Sequence, residues 1–516
     1  PKDTPFAGTY LMAIYYILKY IHALPNISYR NIIMAALSIG ICINVRVGGF
    51  LLLFYLGLFL FIWLFFNRDI WNQINSNSEL KKRSIIYLIY TGIASYIVGI
   101  LFWPSALKSP ISFPIEALGI FSKFPVTIKT LFEGKWISST ELPNLYLIKY
   151  MFISNPEIIF IGLLLGIIVW KFFDKNQRIW IFFLVFASIF PIIYTIYKKA
   201  AFYNGWRQMY FSFTPLIIVS GVFWSKLIFE FKIKNVRYIF ILIFSILIFF
   251  PASFMCRNFP QFYVYFNSLS GGIDKNYGKY EMDYYGHGVN EATFWINKNH
   301  PEWFSDSTLR VVSNVPYNMN KITDRWNIKK QFGYVRFRER YDTDWEIGVF
   351  SPAFVDPAII QNNMFKSKNV VHSIDIDGRP ICIIVVRKDK NDFYAKRLID
   401  SGKFSEAIPF LNKALQYDPN NEIAWANLGL AQLQTNQANL AVESANKCLL
   451  ISPESIAAQN YLGYAYLQSG NTSNAQYVFL QMIEQNPGMP EPYRVLAQIY
   501  QQQGNAQAAQ QYMSAY

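Results

Sequence analysis

The stretch Lys198-Lys199-Ala200-Ala201-Phe202-Tyr203-Asn204-Gly205-Trp206-Arg207 decides how the first half of this chain is read. Apolar runs at 179–197 and 209–227 lead into it and out of it. Three cations and an aromatic-glycine turn therefore stand between two segments long enough to cross a bilayer. Ionisable groups are expensive in such a place and mark function when they are kept there. Two readings stand side by side. Lys198, Lys199 and Arg207 can snorkel to lipid headgroups as anchors, or, with Tyr203, they can hold an anionic ligand at the membrane surface.

Working outward, apolar runs recur at about 6–23, 31–45, 49–66, 85–103, 157–173, 179–197, 209–227 and 238–255, and they predict a multi-pass helical domain of about eight spans over 1–255. The chain is 53% hydrophobic and 18% aromatic, which excludes a single soluble globule of this length. Its excess charge of +14 is uneven, because residues 391–516 hold nine Asp and Glu against six Lys and Arg. The basic balance belongs to the membrane part, a pattern that suits anionic lipid and phosphate and argues against a nucleic-acid partner. Cys42, Cys256, Cys382 and Cys448 form no paired motif, so neither a zinc site nor a disulfide framework is signalled.

Loop charges predict an orientation. Arg30, then Arg68 with Lys81, Lys82 and Arg83, then Lys171, Lys175 and Arg178, then Lys226, Lys232, Lys234 and Arg237 fall in alternate loops, which the positive-inside rule assigns to the cytoplasm. The opposite, outer face then receives Asp3, the Arg46-Val47-Gly48-Gly49 turn, the loop 104–156, the Lys198–Arg207 stretch and everything beyond Met255. Arg46 and Arg207 break the charge rule on the same face. Arg46 is read either as a hairpin residue reaching lipid phosphate or as part of a ligand site. The loop 104–156 carries Pro104, Pro110, Pro114, Pro125, Pro143 and Pro156; its amphipathic pieces 125–132 and 142–152 are expected to lie along the interface and roof a cavity. Asp3 is either a base for an acceptor hydroxyl or the start residue of a helix.

Beyond residue 255 the pattern becomes soluble α/β. A helix is expected over 289–299, strands over 309–315 and 344–350, and a hairpin of 369–376 with 380–387 around Asp377-Gly378. His287, His300 and His372 are isolated and read as structural. The strip 271–286, with Glu281, Asp283 and Tyr284, is either a sugar-contacting surface or a rigid connector. In the last block Pro419, Pro453 and Pro487 stand 34 apart, as do Ala407, Ala441, Ala475 and Ala509, with Gly402, Gly470 and Gly504 at the mid-repeat turn. That period resembles the tetratricopeptide repeat, a helix-turn-helix solenoid expected to stack as an independent unit and bind a protein partner.

Taken in order, Asp3 in Pro1–Phe6, the turn 44–49, the segment 142–156, the motif 203–215 and the strip 271–286 resemble the bacterial membrane glycosyltransferases of the C-type (GT-C) superfamily, the protein O-mannosyltransferase and aminoarabinose transferase-like members. The resemblance implies an inverting transfer of sugar from a polyprenyl-phosphate donor to a protein, glycan or lipid on the outer, periplasmic face of the cytoplasmic membrane. It places Asp3 near the sugar or a divalent metal, and Arg46 and Arg207 near the carrier phosphate. The family's principal acid belongs to a first outer loop, which is expected upstream of Pro1, and Gln208 stands where close relatives are expected to carry His. The expected architecture is therefore a membrane domain over 1–255, a periplasmic α/β domain over 256–390 and tetratricopeptide repeats over 391–516. A non-catalytic membrane scaffold assembled through the repeats is the competing reading. A transporter fits less well, because the spans lack paired intramembrane charges.

Overall fold

The computed structural model describes residues 2–122, 127–230, 234–362, 365 and 369–515, which gather into two compact units. The first comprises Pro1–Phe132, Trp136–Arg257 and Tyr265–Gly272; the second comprises Glu133–Lys135, Asn258–Val264 and Ile273–Tyr516.

The first unit is built from α1 (Asp3–His22), α2 (Tyr29–Val45), α3 (Leu51–Phe66), α4 (Ser78–Ile100), α5 (Tyr146–Ile153), α6 (Glu157–Val169), α7 (Lys175–Tyr197), α8 (Tyr210–Glu230) and α9 (Lys234–Arg257). Among lipid tails close packing depends on small residues, and two helix pairs use them. A Cβ on Gly40 would come within 2.5 Å of Val98, and one on Gly99 within 2.6 Å of Ile43, which joins α2 to α4. On α6, Gly162 and Gly166 meet Ser220, Phe223 and Trp224 of α8 equally closely, and the Trp224 indole N–H donates to the Ile158 carbonyl at 3.0 Å.

Among the described residues five helices are long and apolar enough to cross a membrane, and a sixth qualifies if α5 and the helix after it, bent by 104°, form one broken span. The eight expected spans are not all of this kind. Asp3, Lys19, His22 and several tyrosines dilute α1, while α2, at 17 residues, is short for a bilayer. Of the proline-rich loop's piece 125–132, residues 127–132 are described. There Lys129–Phe132 (β1) pairs with Lys135–Ser138 (β2) in a two-stranded sheet.

In the second unit β3 (Val311–Ser313), β4 (Gly333–Tyr334), β5 (Ile347–Phe350), β6 (Val370–Ile376) and β7 (Arg379–Val386) form one sheet of order β4-β3-β5-β7-β6. The first three strands are mutually parallel, and β7 runs antiparallel to both its neighbours. The expected hairpin turn is there, with Asp377 and Gly378 both at positive φ, 43° and 83°. Helices α10 (His287–Asn299) and α11 (Pro316–Arg325) supply Val289, Ala292, Ile296 and Met319 to a core shared with Val311, Ile347, Val349 and Ile384.

Eight further helices follow: α12 (Asn391–Asp400), α13 (Phe404–Tyr417), α14 (Glu422–Gln434), α15 (Ala438–Ile451), α16 (Ile456–Gln468), α17 (Thr472–Gln485), α18 (Pro490–Gln502) and α19 (Ala506–Ala515). They pair as four helix-turn-helix repeats. Each turn needs a residue in the left-handed region, and Gly402, Gly470 and Gly504 supply it at φ 75°, 77° and 76°. In the second repeat Asn436 does the same at φ 60°, a residue type that tolerates this conformation better than most.

The repeats do not stack as an independent unit, contrary to the expectation from their period. Arg340 of the α/β domain donates from both terminal nitrogens to both oxygens of Glu422 on α14, at 2.6 and 2.9 Å, with both residues buried. Arg387 and Asp392 form a second buried pair, Tyr417 bonds Asn369 at 2.6 Å, and Ser452 bonds Asp356 at 2.6 Å. A cut at residue 390 would remove the counter-ion of Arg340, and residues 273–516 belong to one compact unit.

Candidate functional site

Three helices of the first unit bring their ends together. Asp3 opens α1, Arg46 closes α2, and Arg207 stands in the single 3₁₀ turn Arg207–Met209 that enters α8. Aromatic packing fixes the ends: Phe6 and Tyr10 of α1 meet Phe211 of α8 edge-on at centroid distances of 4.8 and 4.9 Å. Gly49 presses its backbone onto α2, where an added Cβ would lie 2.5 Å from the Ile43 nitrogen, so the turn after Arg46 requires a glycine there.

Within this junction Arg46 donates to Asp3 at 2.6 Å and to the Gln208 carbonyl at 3.3 Å, and its guanidinium lies 5.4 Å from the Phe6 ring centroid. Arg207 places its Nε 4.0 Å from the other Asp3 oxygen, and its guanidinium faces the Tyr203 ring at 5.4 Å. The side chains of Asp3, Arg46 and Arg207 are 10%, 17% and 19% exposed, which leaves them desolvated enough for strong electrostatics and still reachable. Asp3 thus reaches across to Arg46, and no side-chain cap is made at the start of α1.

The turn that carries Arg207 is held from below. Asn204 and Gly205 both take positive φ, 55° and 68°. The Tyr146 hydroxyl donates to the Gly205 carbonyl at 3.3 Å, and the Trp206 indole N–H donates to Ser154 at 2.6 Å. The bent segment around α5 is therefore the seat of the cationic turn. Gln208, at the position where His was expected, uses its side chain internally and donates to the Tyr203 carbonyl at 3.1 Å.

The other expected site residues lie elsewhere. Lys198 caps α7 with its ammonium near the Tyr194 and Tyr197 rings, at 6.0 and 5.6 Å, and both Lys198 and Lys199 are exposed. In the second unit Asp283 is buried and accepts from the His287 and Gly288 amides, each at 2.8 Å, and from the Tyr263 hydroxyl. It is the cap that starts α10. Burial pushes its carboxyl up to about 7, against the lowering pull of those bonds. Tyr284 packs on Tyr263 and Tyr285, and Glu281 is partly exposed. The histidines behave as structural residues: His300 stacks on Trp303 and His372 on Trp295, at 4.1 and 4.3 Å. Sequence reasoning missed Arg340 and Glu422, which carry no local motif.

Among the described residues no group of three or more His, Cys, Asp or Glu stands close enough to hold a metal. Asp3 faces two guanidiniums, so its carboxylate is already engaged by cations and the junction offers no ligand set for the divalent metal that the resemblance allows.

Two features of the second unit fix its last part: a turn in left-handed backbone at every 34 residues, and the buried alanines Ala407, Ala441 and Ala475 where paired helices touch. The family models for the TPR repeat match residues 395–436, and those for the tetratricopeptide repeat match 423–455 and 466–516. Residues 395–516 are tetratricopeptide repeats. The array is similar to several solved structures. "MamA RS-1 ArsTM double mutant" is 17% identical over 25% of this chain and 74% of that one, with a TM-score of 0.24. "MamA MSR-1 C2" is 21% identical over 24% and 71%, with a TM-score of 0.23. "MamA AMB-1 C2221" is 22% identical over 24% and 75%, with a TM-score of 0.23. No curated protein matches the chain. Tetratricopeptide repeats are protein-interaction modules, and this chain carries both such an array and a set of apolar helices.

Proposed function

We propose that the chain is a membrane glycosyltransferase that moves a sugar from a polyprenyl-phosphate donor to an acceptor on the outer face of the cytoplasmic membrane. Its second unit would lie in the periplasm, and its tetratricopeptide repeats would engage a protein acceptor or partner. The observation that carries this reading is the meeting of Asp3, Arg46 and Arg207 from three separate helices in a half-sealed junction. In the reaction the acceptor oxygen attacks the anomeric carbon, the bond from that carbon to the phosphate oxygen breaks, and its electron pair leaves with the phosphate. Arg46 and Arg207 would receive that growing charge, which rewards the transition state over the ground state. The acceptor's proton passes to a carboxylate base, the role open to Asp3.

The test is transfer from a defined polyprenyl-phosphate sugar by the full chain in lipid nanodiscs. Arg46→Ala and Arg207→Ala should each lose about a hundredfold in rate, on the order of 3 kcal/mol, while folding and membrane insertion persist. Turnover near the unmodified rate at limiting donor would return both arginines to a structural role. A second reading, a non-catalytic membrane scaffold, is favoured by the match of the repeats to an interaction family. It requires that both alanine variants assemble with protein partners as the unmodified chain does and that no transfer occurs in any of the three.

A further inference from the structure

The position of Asp3 is odd for a base. A base that deprotonates an incoming hydroxyl belongs on the side of the sugar away from the departing phosphate, whereas Asp3 lies on the guanidiniums themselves. Its Oδ1 accepts from Arg46 at 2.6 Å and its Oδ2 stands 4.0 Å from Nε of Arg207. A carboxylate placed this way fills the place where a phosphate would be received. Its planar oxygens match a guanidinium fork much as two phosphate oxygens do.

From this we infer that Asp3 is an internal place-holder for the donor's phosphate: it neutralises the arginine pair while the site is empty and is displaced when the donor's phosphodiester, or the polyprenyl phosphate left after transfer, occupies the pair. The inference rests on the donor reading above. The physics favours an exchange of this kind. Two guanidiniums at less than one-fifth exposure repel one another and cost desolvation when no anion is present. A resident carboxylate removes that cost and thereby keeps the three helix ends together in the empty protein. The donor's phosphodiester carries one negative charge, as Asp3 does, but its two non-bridging oxygens can each serve a different guanidinium, and the polyprenyl phosphate left after transfer carries close to two charges. Once displaced, Asp3 no longer lies on the guanidiniums, and its carboxylate can take the acceptor's proton if it turns to the side of the sugar away from the phosphate. Asp3 is thus a positioning residue in the empty protein and becomes available for chemistry only with the donor in place.

The experiment measures equilibrium binding of a short-chain polyprenyl phosphate without sugar to the full chain in nanodiscs made of neutral lipid. Separate arms use inorganic phosphate and nanodiscs containing phosphatidylglycerol. Asp3→Asn removes the competing charge and keeps the shape, so polyprenyl phosphate should bind about tenfold tighter than to the unmodified chain, the scale of one charge-assisted hydrogen bond. Inorganic phosphate should show the same direction, and Asp3→Glu, which retains the charge, should show no gain. Asp3→Ser is the second variant should the Asn protein fold poorly, and a rise in its thermal stability on adding polyprenyl phosphate, larger than in the unmodified chain, gives the same answer. Equal or weaker binding in both neutral variants overturns the place-holder role while leaving the donor reading intact. Tightening only towards phosphatidylglycerol also overturns it and makes the cluster a general headgroup anchor. Absence of polyprenyl-phosphate binding in every variant, the unmodified chain included, sinks the donor reading and this inference with it.

Discussion

Arg46 and Arg340 are both arginines facing a carboxylate, and they are held in opposite ways. Arg340 meets Glu422 with both arms, adds a bond to the Phe337 carbonyl at 2.9 Å, and is sandwiched by the Phe337 and Tyr341 rings at 3.8 and 4.4 Å. Arg46 gives one nitrogen to one oxygen of Asp3 and another to a backbone carbonyl, and its carboxylate is shared with Arg207. The first arrangement uses up the fork and closes the site, as a lock between two parts of a fold does. The second leaves a carboxylate divided between two cations, a state that another anion can take over. Buried charge serves geometry in one place and exchange in the other.

The largest effect should come from opening the lock. Glu422→Ala leaves the Arg340 guanidinium buried and unpaired, and should cost about 3–5 kcal/mol of stability in the second unit. Denaturant unfolding would read this, together with faster proteolysis near residues 387–391. The paired change Arg340→Met with Glu422→Leu should recover most of the loss, because an apolar pair suits the same space. A Glu422→Ala protein as stable as the parent would mean that the contact contributes little.

Lysine at each arginine sharpens the contrast. Arg340→Lys keeps the charge but surrenders the second arm, and should cost about 2 kcal/mol of stability. Arg46→Lys should leave stability nearly unchanged and lower the affinity for a phosphate monoester several-fold. The reverse pattern, read by thermal unfolding and phosphate binding, would exchange the roles assigned to the two sites.

A pH dependence of similar size should arise beside the lock. Burial pushes the Asp342 carboxyl up to about 6, opposed by Lys396 and by a bond from Asn427 at 3.5 Å, and supported by Glu339 and Asp400. A carboxyl raised above its unfolded value penalises the folded state when ionised. Stability should therefore rise as pH falls from about 6 towards 4, by on the order of 2 kcal/mol. Asp342→Asn should abolish that rise, and equal slopes in the two proteins would show that Asp342 is not its source.

How far the sequence reaches can be judged from the same residues. The repeats were legible because stacking imposes a period, and the period shows as alanines and prolines at fixed intervals. Asn436 escaped notice because the turn demands a backbone conformation, which Asn can meet as well as Gly. The convergence of Asp3, Arg46 and Arg207 was half legible: loop charges put them on one predicted face, but only the crossing of α1, α2 and α8 brings them to bonding distance. The expected count of spans rests on apolar composition; α1, with its tyrosines and Lys19, and the 17-residue α2 fall outside the helices that qualify by length and hydropathy together. The lock was not legible at all. Arg340 and Glu422 are 82 positions apart, and neither carries a local signal, so their pairing is a product of tertiary packing.

One feature of the repeats bears on how such an array can change over generations. In the third repeat Gly463 faces the ring of Phe479, where an added Cβ would meet it at 2.5 Å; in the second, Gly429 faces the backbone of Ala445 at an unstrained 3.5 Å. The fourth carries Ala497 at the corresponding place. In the third repeat the bulk of Phe479 is thus answered by the absence of a side chain at Gly463, whereas the second repeat sets glycine against alanine. Duplication or loss of a whole 34-residue unit keeps every couple intact. A recombination event that breaks the third repeat between its two helices can set the ring of Phe479 against an alanine, whereas a junction at the prolines between repeats leaves that couple together.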